Sequence, residues 1–211
     1  FLPKELVNEI ERIRERDSDY WRVYGEGLRA VFSEKQIFRN WNYIPYNDFP
    51  DIDDEVIGID FGFSQDNLAI VKVGRHNNNL YIHELLYKKG MTNRDIAEFL
   101  KEKKLNEFIC YCDSAEPKSI EELRQMDVIA KGAIKGQGSI NAGISLLKEF
   151  DIYVSEESLN IQKEQQSYLY DELKDGTIIN KPKANQADHL MDSIRYCVYS
   201  RWRHRVDFFV V

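Results

Sequence analysis

The sequence lacks several features that define common functional classes. It has only three cysteines in 211 residues, Cys110, Cys112 and Cys197, and their spacing does not repeat, which argues against a disulfide framework. No second Cys or His pair stands at zinc-ligand spacing from Cys110 and Cys112, so we interpret both as small residues of a buried strand. No apolar run approaches the ~20 residues of a membrane helix, and no signal-like segment opens the chain. The sequence therefore predicts a soluble, intracellular protein that does not interact with membranes.

Two further absences narrow the function. No Gly-x-x-x-x-Gly-Lys-Ser/Thr phosphate loop occurs, so we do not expect this chain to hydrolyse ATP. A basic excess is also missing, since 29 Lys and Arg face 36 Asp and Glu for a formal net charge of −7. A passive nucleic-acid binder usually carries a basic excess. An enzyme whose acidic site is neutralised by divalent cations remains compatible with this charge.

A regular α/β pattern begins at residue 55. Apolar runs at 56–60, 68–73 and 80–87, joined by short loops, predict an antiparallel three-strand meander. Helices and strands then alternate, Asp175-Gly176 predicts an extra β-hairpin, and the pattern closes with a helix over 186–202. We predict an α/β protein of RNase H-like fold, with a central mixed β-sheet of meander and parallel strands flanked by helices.

Several local signals predict where elements begin and end. Thr92 with Asp95 three residues later is close to a capping box, Pro117 is predicted to start a further helix, and Ser139 is predicted to cap another. A helix is predicted over 159–170. Residues 1–50 differ in composition, with a strand predicted at 36–41, so we divide the chain into a linker or docking segment at 1–54 and an RNase H-like domain at 55–211.

Acidic residues stand at the ends of two predicted strands and on the last helix. Asp60 ends the first strand and Asp113 ends the fourth, so they lie side by side if those strands are neighbours. On the last helix Asp188 and Asp192 are four residues apart, and His189 and Asp192 are three apart, so each pair shares a face. Carboxylates brought this close repel unless a cation lies between them, and hard oxygen ligands suit Mg²⁺ or Mn²⁺. Two such ions can activate a water molecule and stabilise the leaving oxygen in phosphodiester cleavage.

Taken singly, these residues also have structural explanations. Asp60 and Asp113 could start loops, Asp188 could interact with the helix dipole, and His189 could be a surface residue. Asp192 is harder to explain in this way, because its neighbours in the middle of the helix are apolar. The combination of all five positions favours a site.

Four motifs resemble those of a known family. The run NQADHLMDSIRY at 185–196 looks like the C-terminal signature of tailed-phage terminase large-subunit nucleases. GIDFG at 58–62 and DSAEP at 113–117 resemble the first and second motifs of the family, and DYWRVYG at 19–25 resembles the stretch that joins its ATPase motor to its nuclease. The likeness covers nearly the whole chain, and the 185–196 run is its most specific part.

This resemblance implies a metal-dependent DNA endonuclease. Carried over residue by residue, it implies metal ligation and catalysis by Asp60, Asp113, His189 and Asp192, with Asp188 supporting the ligands and two divalent ions, Mg²⁺ or Mn²⁺, as cofactors. The family cuts concatemeric double-stranded DNA during genome packaging in the cytoplasm of the infected bacterial host. Its partners are the ATPase part of the full-length protein, and we also expect the portal and the small terminase subunit. Four lysines are weaker DNA-binding candidates: Lys118, Lys131, Lys135 and Lys183.

Three rival interpretations remain. The nearest is a junction resolvase or another RNase H-like nuclease, which the segment 1–50 disfavours. A non-catalytic module that docks onto a portal would not need an acidic cluster, whose like charges cost stability. A sugar-kinase-like ATPase would need a second domain and a second phosphate-binding loop.

Overall fold

The computed structural model describes residues 34–62 and 66–203. Its helices are α1 (Asn93–Glu102), α2 (Pro117–Gln125), α3 (Ser139–Leu147), α4 (Leu159–Ser167) and α5 (His189–Trp202). Its strands are β1 (Asn42–Ile44), β2 (Asp54–Asp60), β3 (Leu68–His76), β4 (Asn79–Lys88), β5 (Cys110–Cys112), β6 (Ala130–Gly132), β7 (Asp151–Ser155), β8 (Tyr170–Glu172) and β9 (Ile178–Pro182). The motif at 19–25 lies outside the described residues.

Seven strands form one mixed sheet in the order β1-β7-β4-β3-β2-β5-β6. Strands β2, β3 and β4 are the predicted antiparallel meander, while β5 and β6 extend the sheet from β2 in parallel. On the other side β7 lies parallel to β4, and β1 parallel to β7. The predicted RNase H-like fold is confirmed, and β8 with β9 forms the extra hairpin as a separate sheet. Because β2, β5 and β6 are parallel, their carboxyl ends meet at one edge.

Apolar side chains are buried on both faces of this sheet. One cluster lies under α3 and α5 and includes Val71, Leu147 and Ile194. The other lies under α1 and α2 and includes Ile59 and Leu100. Strand β2 contributes side chains to both clusters, because it lies inside the sheet and both of its faces are covered. Every residue from 56 to 60 is buried.

Helix α5 crosses the sheet directly over β2. A Cβ atom added to Gly58 would lie 2.9 Å from the Ser193 carbonyl carbon, so only glycine allows this approach. The far end of α5 is held by Asp54, which accepts hydrogen bonds from Arg201 Nε (2.9 Å) and Trp202 Nε1 (2.7 Å). The amino end of α5 lies at the carboxyl end of β2, where the His189 side chain contacts Asp60.

Most of the predicted helix starts are confirmed. Thr92 and Asp95 form a reciprocal capping box on α1, and Pro117 is the first residue of α2. The prediction for α3 was wrong by one residue, because Ser139 is its first helical residue and Gly138 precedes it as the N-cap. Gly138 has φ +79°, a left-handed conformation that a serine adopts only with strain.

The strand predicted at 36–41 is wrong. Gln36 makes a single antiparallel bridge to Leu169, and the strand of this region is β1, six residues later. The buried Gln36 side chain explains the difference, because its Nε2 donates to the Phe38 carbonyl (2.8 Å) and so takes that group away from strand pairing.

Two predicted helices are shorter than the sequence pattern suggested. Helix α4 ends at Ser167, because Tyr168 turns into extended backbone and its ring is buried in the core. Helix α5 begins at His189 rather than at 186, because the Gln186 side chain makes two hydrogen bonds with the Leu169 backbone (2.9 and 3.2 Å). No helix in the described part of the chain is long and apolar enough to cross a membrane.

Candidate active site

The two strand-end acids lie next to each other. Asp60 is the last residue of β2, and Asp113 directly follows β5, the strand that pairs with β2 in parallel. The Asp113 amide donates a hydrogen bond to the Ile59 carbonyl (3.1 Å), which continues that pairing by one residue. Both acids therefore project from the same edge of the sheet, as the sequence predicted.

The first turn of α5 brings two further side chains to this edge. His189 is its first residue, and its Nδ1 lies 2.9 Å from Asp60 Oδ2. Asp192 follows three residues later on the same face. Asp188 is the N-cap residue, but its side chain makes no capping hydrogen bond. The structure thus brings together Asp60, Asp113, His189 and Asp192, with Asp188 beside them.

A tyrosine that was not predicted lies at the centre of these groups. The Tyr196 hydroxyl is 3.2 Å from Asp113 Oδ2, 3.3 Å from Asp192 Oδ2 and 3.5 Å from Asp60 Oδ1. A phenol has one proton, so it donates to one carboxylate at a time. Tyr196 is one helical turn after Asp192, and this i,i+4 spacing is the sequence signal that could have identified it.

Two cations pair with the acids close to the tyrosine ring. Lys135, in the loop after β6, bonds Asp113 through its ammonium group, which lies 4.8 Å from the centre of the Tyr196 ring. Arg195 pairs with Asp192 (Nη2 to Oδ1, 2.9 Å), and its guanidinium lies 4.9 Å from the same ring. The repulsion among the carboxylates is therefore partly offset by groups of the chain itself.

The pKa values reflect these different surroundings. Burial raises the pKa of Asp60, although the hydrogen bond from His189 acts against this. Burial also acts to raise the pKa of Asp113, but the Lys135 hydrogen bond and the Ala115 amide outweigh it, so that pKa is lowered. The hydrogen bond to Asp60 raises the pKa of His189. Burial, followed by the charge of Asp192, raises the pKa of Asp188 to about 6.

The donor set is chemically suited to a hard divalent cation. It offers several carboxylate oxygens, which are the ligands that Mg²⁺ and Mn²⁺ prefer in proteins, together with one imidazole. Within residues 34–62 and 66–203, however, no three His, Cys, Asp or Glu side chains stand where they could share one ion. The position of the Tyr196 hydroxyl between three of the carboxylates gives a physical reason for this spacing.

The four candidate DNA-binding lysines have different positions. Lys135 contacts a site acid, whereas Lys118 on α2, Lys131 on β6 and Lys183 after β9 are exposed. Their role in DNA binding stays a prediction. Sequence reasoning also missed Glu164, a buried residue of α4 that contacts the first turn of α5, and no sequence pattern points to it.

Residues 60–200 match the terminase RNase H-like domain family. The chain belongs to this family. The match spans most of the described elements, from the last residue of β2 to near the end of α5, and so includes every acid of the site.

Two terminase large subunits are similar to the chain in sequence. The chain is 29% identical over 188 residues to the PBSX phage terminase large subunit of Bacillus subtilis, covering 85% of this chain and 43% of that protein. It is 29% identical over 208 residues to the terminase large subunit of Bacillus phage SPP1, covering 93% of this chain and 48% of that protein. The chain thus spans about half the length of these relatives.

A solved terminase structure has the same fold. The nuclease domain of the bacteriophage SPP1 large terminase, determined with manganese bound, superposes with a TM-score of 0.67 at 28% identity. The match covers 75% of this chain and 95% of that domain. By family and by fold, the chain corresponds to the nuclease domain of terminase large subunits.

Proposed function

We propose that the chain is a metal-dependent endodeoxyribonuclease that cuts concatemeric double-stranded DNA during viral genome packaging. The observation that carries the proposal is the convergence of Asp60, Asp113 and Asp192 around one hydroxyl, with His189 bonded to Asp60. Like charges at one edge of a sheet cost stability, and a divalent cation is the natural counterion for such a group.

The residues that would hold the metal are Asp60, Asp113, His189 and Asp192, with Asp188 supporting them. Two Mg²⁺ or Mn²⁺ ions, when bound there, would supply an activated water molecule and stabilise the leaving oxygen. The chain itself fixes the ligands, because Asp60 and Asp113 are rigidly placed by neighbouring strands. The SPP1 nuclease domain with bound manganese supports the choice of ion.

The wider biological role rests on the family. We propose double-stranded DNA as substrate, with Lys118, Lys131, Lys135 and Lys183 contacting its backbone. Residues 1–54 would link or dock this domain, 55–211, to the ATPase part of a longer terminase, and the portal and small subunit would be further partners. The setting would be the cytoplasm of the infected bacterial host.

Nicking of supercoiled plasmid tests the activity, with Mn²⁺, Mg²⁺ or EDTA present. We expect cleavage that requires metal and falls at least about 100-fold in Asp60→Asn and Asp113→Asn, because even groups that only support a metal ligand contribute about 10–100-fold. Asp151→Asn is the matched control, since Asp151 is exposed at the opposite end of the parallel strands. Cleavage in EDTA, or full activity of either site variant, would contradict the proposal.

Calorimetric titration with Mn²⁺ makes a negative cleavage result informative. Wild type that binds Mn²⁺ and does not cut would point to a non-catalytic docking module. Wild type that neither binds nor cuts would refute the metal site itself.

A further inference from the structure

Glu164 is a buried carboxylate that the proposed chemistry does not use. It lies on α4 and is 3% exposed, among the least accessible charged groups of the described chain. Its Oε2 accepts hydrogen bonds from the backbone amides of Leu190 (2.8 Å) and Met191 (3.3 Å). These amides belong to the first turn of α5, immediately after His189.

The amino end of α5 depends on this contact. The first amides of a helix have no partner within it and are usually satisfied by the side chain of the N-cap residue. The N-cap residue here is Asp188, and its side chain makes no such bond. Glu164 therefore supplies from another helix what the local sequence does not, and its charge suits the positive end of the helix dipole.

Glu164 is itself held in place. Helix α4 is anchored to the sheet by Glu84 of β4, whose Oε2 accepts from the amides of Asn160 (3.0 Å) and Ile161 (3.2 Å) at the start of α4. Strand β4 thus fixes α4, and α4 fixes the first turn of α5.

Burying a carboxylate to this extent costs stability, so the position of Glu164 calls for a structural explanation. Burial raises the pKa of Glu164, and the Tyr87 hydroxyl and the two amides act against that shift. A capping side chain within the local loop would satisfy the same amides without burying a charge. A carboxylate from α4 does something that a local cap cannot, because it ties the helix end to the sheet that carries Asp60.

We propose that Glu164 is a positioning residue for the metal ligands of α5. By holding the Leu190 and Met191 amides, Glu164 sets the rotation of α5 about its own axis and the position of its first turn along that axis. His189 and Asp192 then face the strand-end acids. The proposal rests on the proposed function of the site.

Three variants separate positioning from general stability. Glu164→Ala removes the acceptor, and Glu164→Gln keeps an acceptor oxygen while removing the charge. Asp54→Asn is the matched control, because Asp54 anchors the opposite end of the same helix. Mn²⁺ affinity is measured by calorimetry, and hydrogen exchange reports the Leu190 and Met191 amides.

We expect Glu164→Ala to weaken Mn²⁺ binding about 10-fold or more, within the range for groups that orient metal ligands. Exchange of the two amides should become faster, and raising the Mn²⁺ concentration should restore nicking. Glu164→Gln should lie between wild type and Glu164→Ala. Asp54→Asn should lower the melting temperature and leave Mn²⁺ affinity unchanged.

The outcomes distinguish this proposal from the proposed function. Wild-type Mn²⁺ affinity in Glu164→Ala, or an equal loss of affinity in Asp54→Asn, would overturn the positioning role and leave the nuclease intact. Wild type that binds no Mn²⁺ would overturn the proposed function, and the positioning role would fall with it.

Discussion

Replacing Gly58 by alanine tests whether the close contact between β2 and α5 sets the geometry of the site. The new Cβ would lie 2.9 Å from both the Ser193 carbonyl carbon and Cys197 Sγ, and nearer still to the Ser193 carbonyl oxygen. Ordinary contacts of a Cβ atom begin near 3.4 Å. Backbone lies on both sides of this contact, so no flexible side chain can move away, and α5 has to retreat from the sheet.

The expected cost follows from that displacement. Overpacking a well-packed core typically costs about 1–3 kcal/mol, and a clash with backbone belongs at the upper end. For a domain of this size, about 3 kcal/mol lowers the melting temperature by roughly 6–12 °C. Because α5 carries His189 and Asp192, a shift of about 1 Å would also reduce cleavage about 100-fold, even where the protein is folded.

Thermal unfolding and plasmid nicking at a temperature well below the transition measure the two effects separately. Gly136→Ala is the control, because a Cβ at Gly136 has no atom within 4 Å and the backbone there is not left-handed. Its melting temperature should be equal to that of wild type or slightly higher, since alanine restricts the unfolded chain. Gly58→Ala with a wild-type melting temperature, or with wild-type nicking, would refute the reasoning.

Three further changes have defined expectations. Lys135→Ala should raise Mn²⁺ affinity about 2- to 5-fold in calorimetry, because it removes a partly exposed ion-pair partner of Asp113. Such ion pairs contribute up to about 1 kcal/mol. Unchanged or weaker Mn²⁺ binding would contradict this expectation. Burial lowers the pKa of His83 in the folded protein. As the pH falls below about 6.5, the unfolded chain therefore binds a proton that the folded protein does not bind, and the folded protein loses stability. The melting-temperature difference between wild type and His83→Gln should therefore shrink from pH 7.5 to pH 5, and a constant difference would exclude this cause. Thr92→Ala should cost about 1 kcal/mol of stability through loss of the α1 capping box and leave nicking unchanged, whereas an unchanged melting temperature would show that the cap contributes nothing.

The sequence predicted those parts of the fold whose cause is local. The apolar run that ends at Asp60 predicted the first strand of the meander, and Thr92 with Asp95 predicted the start of α1. The errors occurred where tertiary contacts override local pattern. The Gln186 side chain bonds the Leu169 backbone and delays α5, and the Gln36 amide bonds a nearby carbonyl where a strand was expected.

The same division applies to the site. Asp60 and Asp113 could be predicted because parallel neighbouring strands bring their carboxyl ends together, and His189 with Asp192 because helical spacing gives them one face. Tyr196 sits among apolar residues of α5 and has the appearance of a core residue in the sequence. Glu164 lies in a polar stretch of α4 that reads as a solvated face, although it is 3% exposed. The i,i+4 spacing from Asp192 was the one signal for Tyr196, whereas the role of Glu164 depends on where α5 lies against α4, which no spacing encodes.

The two ion pairs of the site differ in how easily they can be broken. The Arg195 side chain is 4% exposed and packs over Gly143, where a Cβ would lie 2.6 Å from Arg195 Cγ, so its pairing with Asp192 is fixed by the packing of α3 against α5. The Lys135 side chain is 34% exposed and comes from a loop, so it can leave Asp113 at little cost. A cation that approaches this edge would therefore compete with Lys135 far more readily than with Arg195. Asp113 is consequently the acid at which an added cation can replace a positive charge of the chain most easily.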